Sequence, residues 1–445
     1  MADSPTVEDR AFIAGLVIAA NAAITLGLWV RHGGVSTLSG PGGLATALGQ
    51  VSGLLGTYAV LVVILLLSRI AWLERAIGFD RLAIWHRWGG FASVWLLSAH
   101  TVLIIVGYAQ GDQASLLHQT GDFIRHYPDV LMAFAGMALL IAIAVTSVRA
   151  ARRRLSRETW YSLHLYAYLA VALSFAHQLA VGTDFSGDAI ARWWWIALYA
   201  AVGGAILWWR LLVPIAWNAR HQLRVAAVRP EAEGTVSIYL EGKHLSRTGA
   251  APGQFFLWRF VHGYGWAKAH PYSLSAAPRP DVLRITVKGL GDDSQRLAAL
   301  PVGTRVIAEG PYGTFTSRRR QRDAVAFIAG GIGITPLRAM LDDVRPGTDA
   351  VLVYRAATEA DVAFRRELAS FVERRGLDVR YVIGTEVGDD ETDLLGVPAL
   401  WSLLPDIAER DVYVCGPTAW AYLVLRTLDA AGVPEENIHL ETFAW

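Results

Sequence analysis

The chain has one cysteine, Cys415, in 445 residues. That excludes an internal disulfide and a thiolate cluster, so a metal must be held by histidine or carboxylate. An excess of either charge is also missing. Forty Lys and Arg against thirty-nine Asp and Glu leave a net charge of +1, without the basic stripe that a nucleic-acid partner requires. The N-terminus lacks a basic n-region: Met1–Arg10 carries Asp3, Glu8 and Asp9, and reads as a short cytosolic lead-in to a retained helix, not a cleaved signal. Charge is almost absent from six long stretches before residue 215.

What fills those stretches is apolar. The apolar fraction is 53% and the mean hydropathy is positive, yet the composition after about residue 220 is that of an ordinary globular protein. A membrane span needs roughly 20 apolar residues. Ala11–Val30, Val51–Ser68, Trp88–Gly107, Val130–Val148, Trp160–Val181 and Trp193–Leu212 qualify, and only Arg210 interrupts them with charge. Arg69, Arg75, Arg81 and Arg87 lie between spans two and three, and Arg149, Arg152, Arg153, Arg154 and Arg157 between four and five. The alternate loops hold Asp112, Asp122, Asp129, Asp184 and Asp188. Basic loops stay on the cytosolic side, so both termini and the polar half of the chain are expected in the cytosol. The many tryptophans of this half (Trp85, Trp88, Trp95, Trp160, Trp193, Trp194, Trp195, Trp208, Trp209) read mostly as an interfacial belt.

Histidine is the other unusual feature of the spans. His86 and His100 fall in the third, His164 and His177 in the fifth. Ionisable groups at that depth are costly and are commonly functional. Spacings of 14 and 13 residues separate each pair by about 20 Å along its helix. The two helices run in the same direction, so His86 and His164 share an inner level and His100 and His177 an outer one. Two bis-imidazole haem sites have this arrangement. The alternative is four histidines bonded to neighbouring backbone. A 13-residue step also turns by about 220° on an ideal helix, so the fifth span must bend or bulge, or the two sites must be approached from different sides.

With these pairs in place, the six spans resemble the ferric-reductase-like transmembrane domain shared by NADPH oxidases and metalloreductases. The 14/13 spacing is more like that of the NADPH oxidases. The resemblance implies two b-type haems on His86, His100, His164 and His177.

From about His221 the pattern changes to short alternating runs, Leu223–Val228, Val236–Glu241, Gln254–Arg259, Val282–Val287 and Arg305–Glu309, which predict a small antiparallel barrel. Within it, His270-Pro271-Tyr272-Ser273-Leu274-Ser275 and Gly291-Asp292-Asp293-Ser294 follow in order. Either alone is weak, but together they are similar to the flavin motifs of the ferredoxin-reductase family. The similarity implies an aromatic ring, Tyr272, packed on the isoalloxazine, hydroxyl contacts from Ser273, His270 in place of the usual basic residue, and FAD pyrophosphate at Gly291 and Ser294. Gly310-Pro311-Tyr312-Gly313-Thr314 reads as a turn that closes the barrel.

At Ala324 the rhythm becomes strand, glycine loop, helix. The loop Gly330-Gly331-Ile332-Gly333-Ile334-Thr335-Pro336 suits a pyrophosphate at a helix N-terminus, with Gly331, Gly333, Thr335 and Pro336 as contacts. Further strands at Ala350–Tyr354, Val379–Ile383 and Asp411–Val414 alternate with helices and predict a parallel sheet. The last runs into Cys415-Gly416-Pro417, which resembles the family's nicotinamide-side motif and implies a functional role for Cys415, although a lone buried cysteine is otherwise an inert small hydrophobe. Arg355, just after the second of these strands, leans to the 2′-phosphate of NADPH, with NADH still possible. In the ending Glu441-Thr442-Phe443-Ala444-Trp445, family likeness implies an aromatic stacked on the flavin, Phe443 first and Trp445 as the alternative; a merely packed tail is the other reading.

The expected architecture is a six-helix transmembrane bundle (residues 1–215), an antiparallel β-barrel FAD domain (216–320) and an α/β nucleotide-binding domain with a parallel sheet (321–445). Similarity to bacterial NADPH oxidases covers nearly the whole chain. It implies electron transfer from cytosolic NADPH through FAD and two haems to an acceptor outside a cell membrane. O2 giving superoxide is favoured over ferric or cupric ions or a periplasmic protein partner. No stretch resembles an EF-hand or an adaptor domain, so no obligatory protein activator is expected.

Overall fold

In the computed structural model, residues 7–263, 268–384 and 397–443 are described, and the chain divides into two compact units, residues 1–213 and 214–445. The first unit is helical. Six helical segments are long and apolar enough to cross a membrane: Ala11–Arg31, Gly43–Leu66, Arg81–Gly111, Val130–Ser147, Thr159–Val181 and Ala189–His221, the last running into the second unit. Four of the six apolar runs of the sequence fall within one of them, and Val51–Ser68 and Val130–Val148 overrun theirs by two residues and one. We label the principal helices α1 (Val7–Arg31), α2 (Gly43–Leu66), α3 (Phe79–Gly111), α4 (Val130–Ser147), α5 (Arg157–Leu173), α6 (Phe175–Val181) and α7 (Ala189–Ala205).

The fifth span consists of α5 and α6, interrupted at Ser174. The interruption has a local cause. Ser174 turns its hydroxyl back to the Ala170 carbonyl (2.8 Å), and the Gln178 side chain takes the Ser174 carbonyl (2.6 Å). Side chains that insert into the helical ladder in this way bend it. The break lies between His164 and His177, where their 13-residue spacing leaves room for a bend or bulge. Gly136 of α4 fits against this point, where a Cβ would stand 2.4 Å from the Ser174 hydroxyl.

The tryptophan reading needs correction at one position. Trp88, Trp95 and Trp193 are exposed on the unit's surface, as a belt requires, but Trp195 is buried. Its indole N–H donates to Gln178 (2.8 Å), which explains why a polar-tipped ring is tolerated inside the bundle.

The second unit begins with two three-stranded antiparallel sheets. β1 (Arg224–Ala232), β2 (Thr235–Glu241) and β5 (Val282–Lys288) form one; β4 (His270–Ser273), β3 (Phe255–Phe260) and β6 (Val306–Tyr312) form the other. Bridges Leu274–Ile285 and Arg224–Arg305 join them into a barrel around Ile238, Leu240, Phe256, Trp258 and Ile285. The Gly310-Pro311-Tyr312 segment is not a turn. It belongs to β6, with Tyr312 opposite Phe255, and the chain turns only at Gly313. Apolar Tyr312 pairs with the β3 aromatics, and that packing extends the strand past the proline.

Five parallel strands follow in the order β11-β10-β7-β8-β9: β7 (Val325–Gly330), β8 (Ala350–Ala356), β9 (Asp378–Ile383), β10 (Asp411–Gly416) and β11 (Ile438–Thr442). Helices α8 (Ile334–Leu341), α9 (Arg365–Arg375) and α10 (Thr418–Ala430) connect them. Central strands β7 and β10 are buried throughout, as strands covered on both faces must be.

Asp411, fully buried at the start of β10, accepts from the Gln321 and Arg322 N–H groups (2.7 and 2.5 Å) and from His439 Nε2 (2.9 Å). It therefore ties the entry to the sheet to its last strand. Asp411→Ala would orphan three donors and is expected to cost about 3–5 kcal/mol, measurable as a lower unfolding midpoint of the intact chain.

Candidate functional site

The first unit places its four span histidines in two facing pairs. The His86 and His164 rings lie 5.9 Å apart, centroid to centroid, at 61°. His100 and His177 line one cavity of about 230 Å³ between α2, α3, α4 and the fifth span. The α3 histidines are oriented from behind. His86 Nδ1 donates to the Val63 carbonyl (2.9 Å), and His100 Nδ1 to that of Gly49 (2.8 Å). A carbonyl only accepts, so the proton sits on Nδ1 and the Nε2 lone pair is left for a metal. Nδ1 of His164 and of His177 is buried without a partner. Trp160 stacks on His164 at 5.0 Å and 25°.

These residues fit haem iron. His86 and His164, with ring centroids 5.9 Å apart, would hold haem iron between them. Small residues on α2 make the room for His100: a Cβ at Gly53 would stand 2.4 Å from its Nδ1. The cavity also holds a polar trio that sequence reading missed, in which Gln178 bonds Trp195 (2.8 Å) and the Tyr199 hydroxyl (3.0 Å). A glutamine next to a histidine in an apolar span was the available signal.

In the second unit the flavin-motif residues stand on the edge strand β4. His270 and Tyr272 stack nearly parallel, 5.9 Å and 8° apart, and both are half-buried. Burial pushes the Tyr272 phenol up to about 12, so it is a neutral donor. Its carbonyl accepts from Trp258 Nε1 (2.9 Å), which fixes the strand from within the barrel. Pro271 lies opposite Leu257, and Ser273 is buried opposite Phe255. Gly291 and Ser294 open a short helix nearby in sequence. There the Ser294 hydroxyl accepts from Gly291 N–H (3.0 Å) and donates to its carbonyl (2.8 Å), closing the turn on itself. Lys268 holds the Asp293 carboxylate below its usual range through a 2.8 Å bond.

The glycine loop and the Cys415-Gly416-Pro417 segment meet at the ends of β7 and β10. A Cβ on Gly333 would be 2.1 Å from the Cys415 carbonyl, and Cβ atoms on Gly330 and Gly416 would strike the Trp420 ring at 2.6 and 2.4 Å. Trp420 is thus a supporting residue that the motif reading overlooked. Gly331 has φ +54 with open space around it, and Thr335 and Pro336 sit buried in the first turn of α8, where proline costs no hydrogen bond. Arg355 lies within β8, beside Gly330 in the register, rather than after the strand. Cys415 is wholly buried and its thiol pKa is raised well above normal by burial, so it remains a neutral thiol. Pairing of Gly416 with Thr442 puts Phe443 one step further, half-buried against the cluster that contains Tyr413 and Cys415. Trp445 lies outside the described residues.

The Gly53 contact yields a direct test. Gly53→Leu should push the His100 ring out of place, and haem-loaded protein should then show a high-spin component in its optical spectrum; an unchanged six-coordinate spectrum would remove Gly53 from the site.

Comparison with known proteins agrees with both halves. Residues 52–175 match the pattern described as ferric reductase like transmembrane component, and residues 327–424 that of the oxidoreductase NAD-binding domain. The chain is 30% identical over 240 residues to the glycine betaine monooxygenase reductase subunit of Chromohalobacter salexigens, covering 51% of this chain and 65% of that one. It is 31% identical over 230 residues to a flavohemoprotein of Deinococcus radiodurans, covering 48% and 54%. In these two matches the chain spans less than two thirds of the relative's length. Among solved structures, the flavohem-like FAD/NAD binding domain of nitric oxide dioxygenase from Vibrio cholerae is similar at 26% identity and a TM-score of 0.41, over 50% of this chain and 98% of that one. The chain thus joins a ferric-reductase-like transmembrane domain to an FAD- and NAD-binding reductase domain.

Proposed function

We propose that the protein carries electrons from NADPH through FAD and two b-type haems across a membrane, to O2 with superoxide as product. The observation that carries this reading is the disposition of the histidines: two facing pairs on the same two spans, with His86 and His164 at 5.9 Å and His100 and His177 on a common cavity. FAD would supply the conversion of a hydride pair into single electrons, and haem iron the one-electron carriers.

The chain's own residues do the positioning. His86 and His100 would present Nε2 to iron with their tautomer held by Val63 and Gly49, and His164 and His177 would complete the pairs. On β4, Tyr272 and His270 offer a stacked aromatic surface for the flavin, with Pro271 and Ser273 holding the strand and Gly291 and Ser294 facing the pyrophosphate. Gly331, Gly333, Thr335 and Pro336 would cradle the nucleotide pyrophosphate at the α8 N-terminus. The neutral, buried Cys415 would shape the nicotinamide side together with Gly416 and Pro417, and Phe443 would cover the flavin. The basic loops between spans two and three and between four and five orient the protein in the cell membrane with both termini and the reductase unit in the cytosol. The match to a ferric-reductase-like component favours one second reading, a metal ion as substrate in place of O2.

Two measurements test this. Purified, haem-loaded protein given NADPH should form superoxide faster than it reduces chelated Fe(III); the reverse order would establish the metal-ion reading. His100→Leu should abolish the external product yet leave flavin reduction by NADPH intact, and loss of both would contradict the assigned order of transfer.

Nucleotide choice is tested at Arg355. Arg355→Ala should raise the KM for NADPH about ten- to hundredfold, as loss of a charge-assisted contact worth about 1.5–3 kcal/mol, and leave that for NADH nearly unchanged. Equal effects would make Arg355 structural.

A further inference from the structure

The reductase unit has two lobes, the barrel and the parallel sheet, and one carboxylate bonds to both. Glu367 on α9 accepts from Arg284 Nη1 on β5 (2.5 Å, to Oε1) and Nη2 (3.1 Å, to Oε2), and from Arg338 Nε on α8 (2.5 Å). Arg284 is itself buried in the barrel wall. Its Nε donates to the Ser275 hydroxyl (3.1 Å) and its Nη2 to the Ser275 carbonyl (2.6 Å). Arg338 continues to Asp342 (2.6 Å), whose carboxylate accepts the Ala277 N–H (2.8 Å) and so returns to the barrel. Two guanidiniums and two carboxylates therefore close a charge-balanced loop across the lobe boundary. Burial opposes the charged form of Glu367, but the hydrogen bonds and charges of Arg284 and Arg338 outweigh it and keep the carboxyl below its usual range. A second strut, Lys288 to Asp361 (2.7 Å), lies further along β5.

What the loop connects gives it meaning. Ser275 and Ala277 follow Ser273 directly, so Arg284 and Asp342 hold the segment that leaves the flavin strand β4. Arg338 lies on α8 and Asp342 directly follows it, and the glycine loop leads into the helix's first turn. All eight residues of α8 are buried, which makes it a stiff rod between the glycine loop and the clamp. Displacement at Glu367 thus changes the distance between flavin strand and nucleotide loop.

We propose that Glu367 is a positioning residue for hydride transfer, holding the flavin strand and the nucleotide loop in register through Arg284, Arg338 and Asp342. This rests on the reading above of which strand takes flavin and which loop takes nucleotide. None of Glu367, Arg284, Arg338 and Asp342 is among the residues assigned above to flavin or nucleotide, so their effect falls on alignment rather than on affinity. Misplacement of reacting atoms by about 1 Å costs on the order of a hundredfold in rate.

The test uses the full-length, FAD-loaded protein and follows flavin reduction by NADPH and by 4-deuterated NADPH in stopped flow without an acceptor. Glu367→Ala should slow flavin reduction about ten- to hundredfold, change the apparent Kd for NADPH less than about threefold, and alter the deuterium isotope effect. Glu367→Asp, which keeps the charge, should recover part of the rate. Hydrogen exchange in Glu367→Ala should rise in residues 273–277 and 338–342 with FAD content unchanged. Lys288→Met, which removes only the second strut, should show the same split to a smaller degree, and serves if Glu367→Ala does not assemble. An unchanged rate, or a loss that follows FAD content or NADPH affinity, would overturn the inference. If the unsubstituted protein itself fails to reduce flavin with NADPH, the functional reading fails instead.

Discussion

An imidazole inside a membrane has two nitrogens to satisfy and no water to satisfy them. The first unit meets that constraint for His86 and His100 by giving each Nδ1 proton to a carbonyl of α2. One consequence is chemical: the tautomer is fixed and Nε2 becomes the basic nitrogen. The other is structural, because the ring must come within hydrogen-bond reach of a neighbouring helix backbone. For His100 a small residue on α2 makes the room: Gly53, one turn along from Gly49, leaves the space for the ring, and the Gly49 carbonyl takes its proton. Packing, tautomer and ligand availability are three results of one interaction.

The second unit solves a different problem with the same residue type. Its glycine loop must approach both a diphosphate and the neighbouring strand end. Gly333 meets the Cys415 carbonyl, and Gly330 and Gly416 both lie against the Cζ3–Cε3 edge of the Trp420 ring. These contacts bring two motifs far apart in sequence to one point, and they do so through backbone. Cys415 contributes by its carbonyl and its small volume, since its thiol is enclosed and neutral.

Much of the fold was legible because its signals are local. Charge-free runs of span length, alternation in the barrel strands and the strand–glycine–helix rhythm each depend on a few adjacent residues, and the structure has the corresponding elements. That a 13-residue step leaves His164 and His177 off a common face of an ideal helix was legible as well, and an interruption of the fifth span was one of the ways out. Its location was not, because it depends on whether Ser174 and Gln178 turn their side chains onto the backbone or outward. Interactions between distant segments were hidden for a related reason. Gly53 with His100, Gly330 with Trp420, and Arg284 with Glu367 are separated by dozens of residues, and nothing periodic marks them. The Gly310-Pro311 segment misled because proline usually signals a turn, whereas here β6 runs through it and Tyr312 packs on Phe255.

The cavity that His100 and His177 share shows how polarity is distributed inside an apolar bundle. Gln178, Tyr199 and Trp195 bond mainly to one another, and Gln50 accepts from Trp29 Nε1 at 2.9 Å. Each polar side chain is thereby neutral and matched, which is the arrangement that costs least at low dielectric. His177 is different: its Nδ1 is buried without a partner although it is adjacent in sequence to the well-bonded Gln178. A site that needed only polarity could have used the glutamine alone. Under the haem assignment proposed above, a metal bond at Nε2 would supply the stabilisation that the bundle withholds at Nδ1.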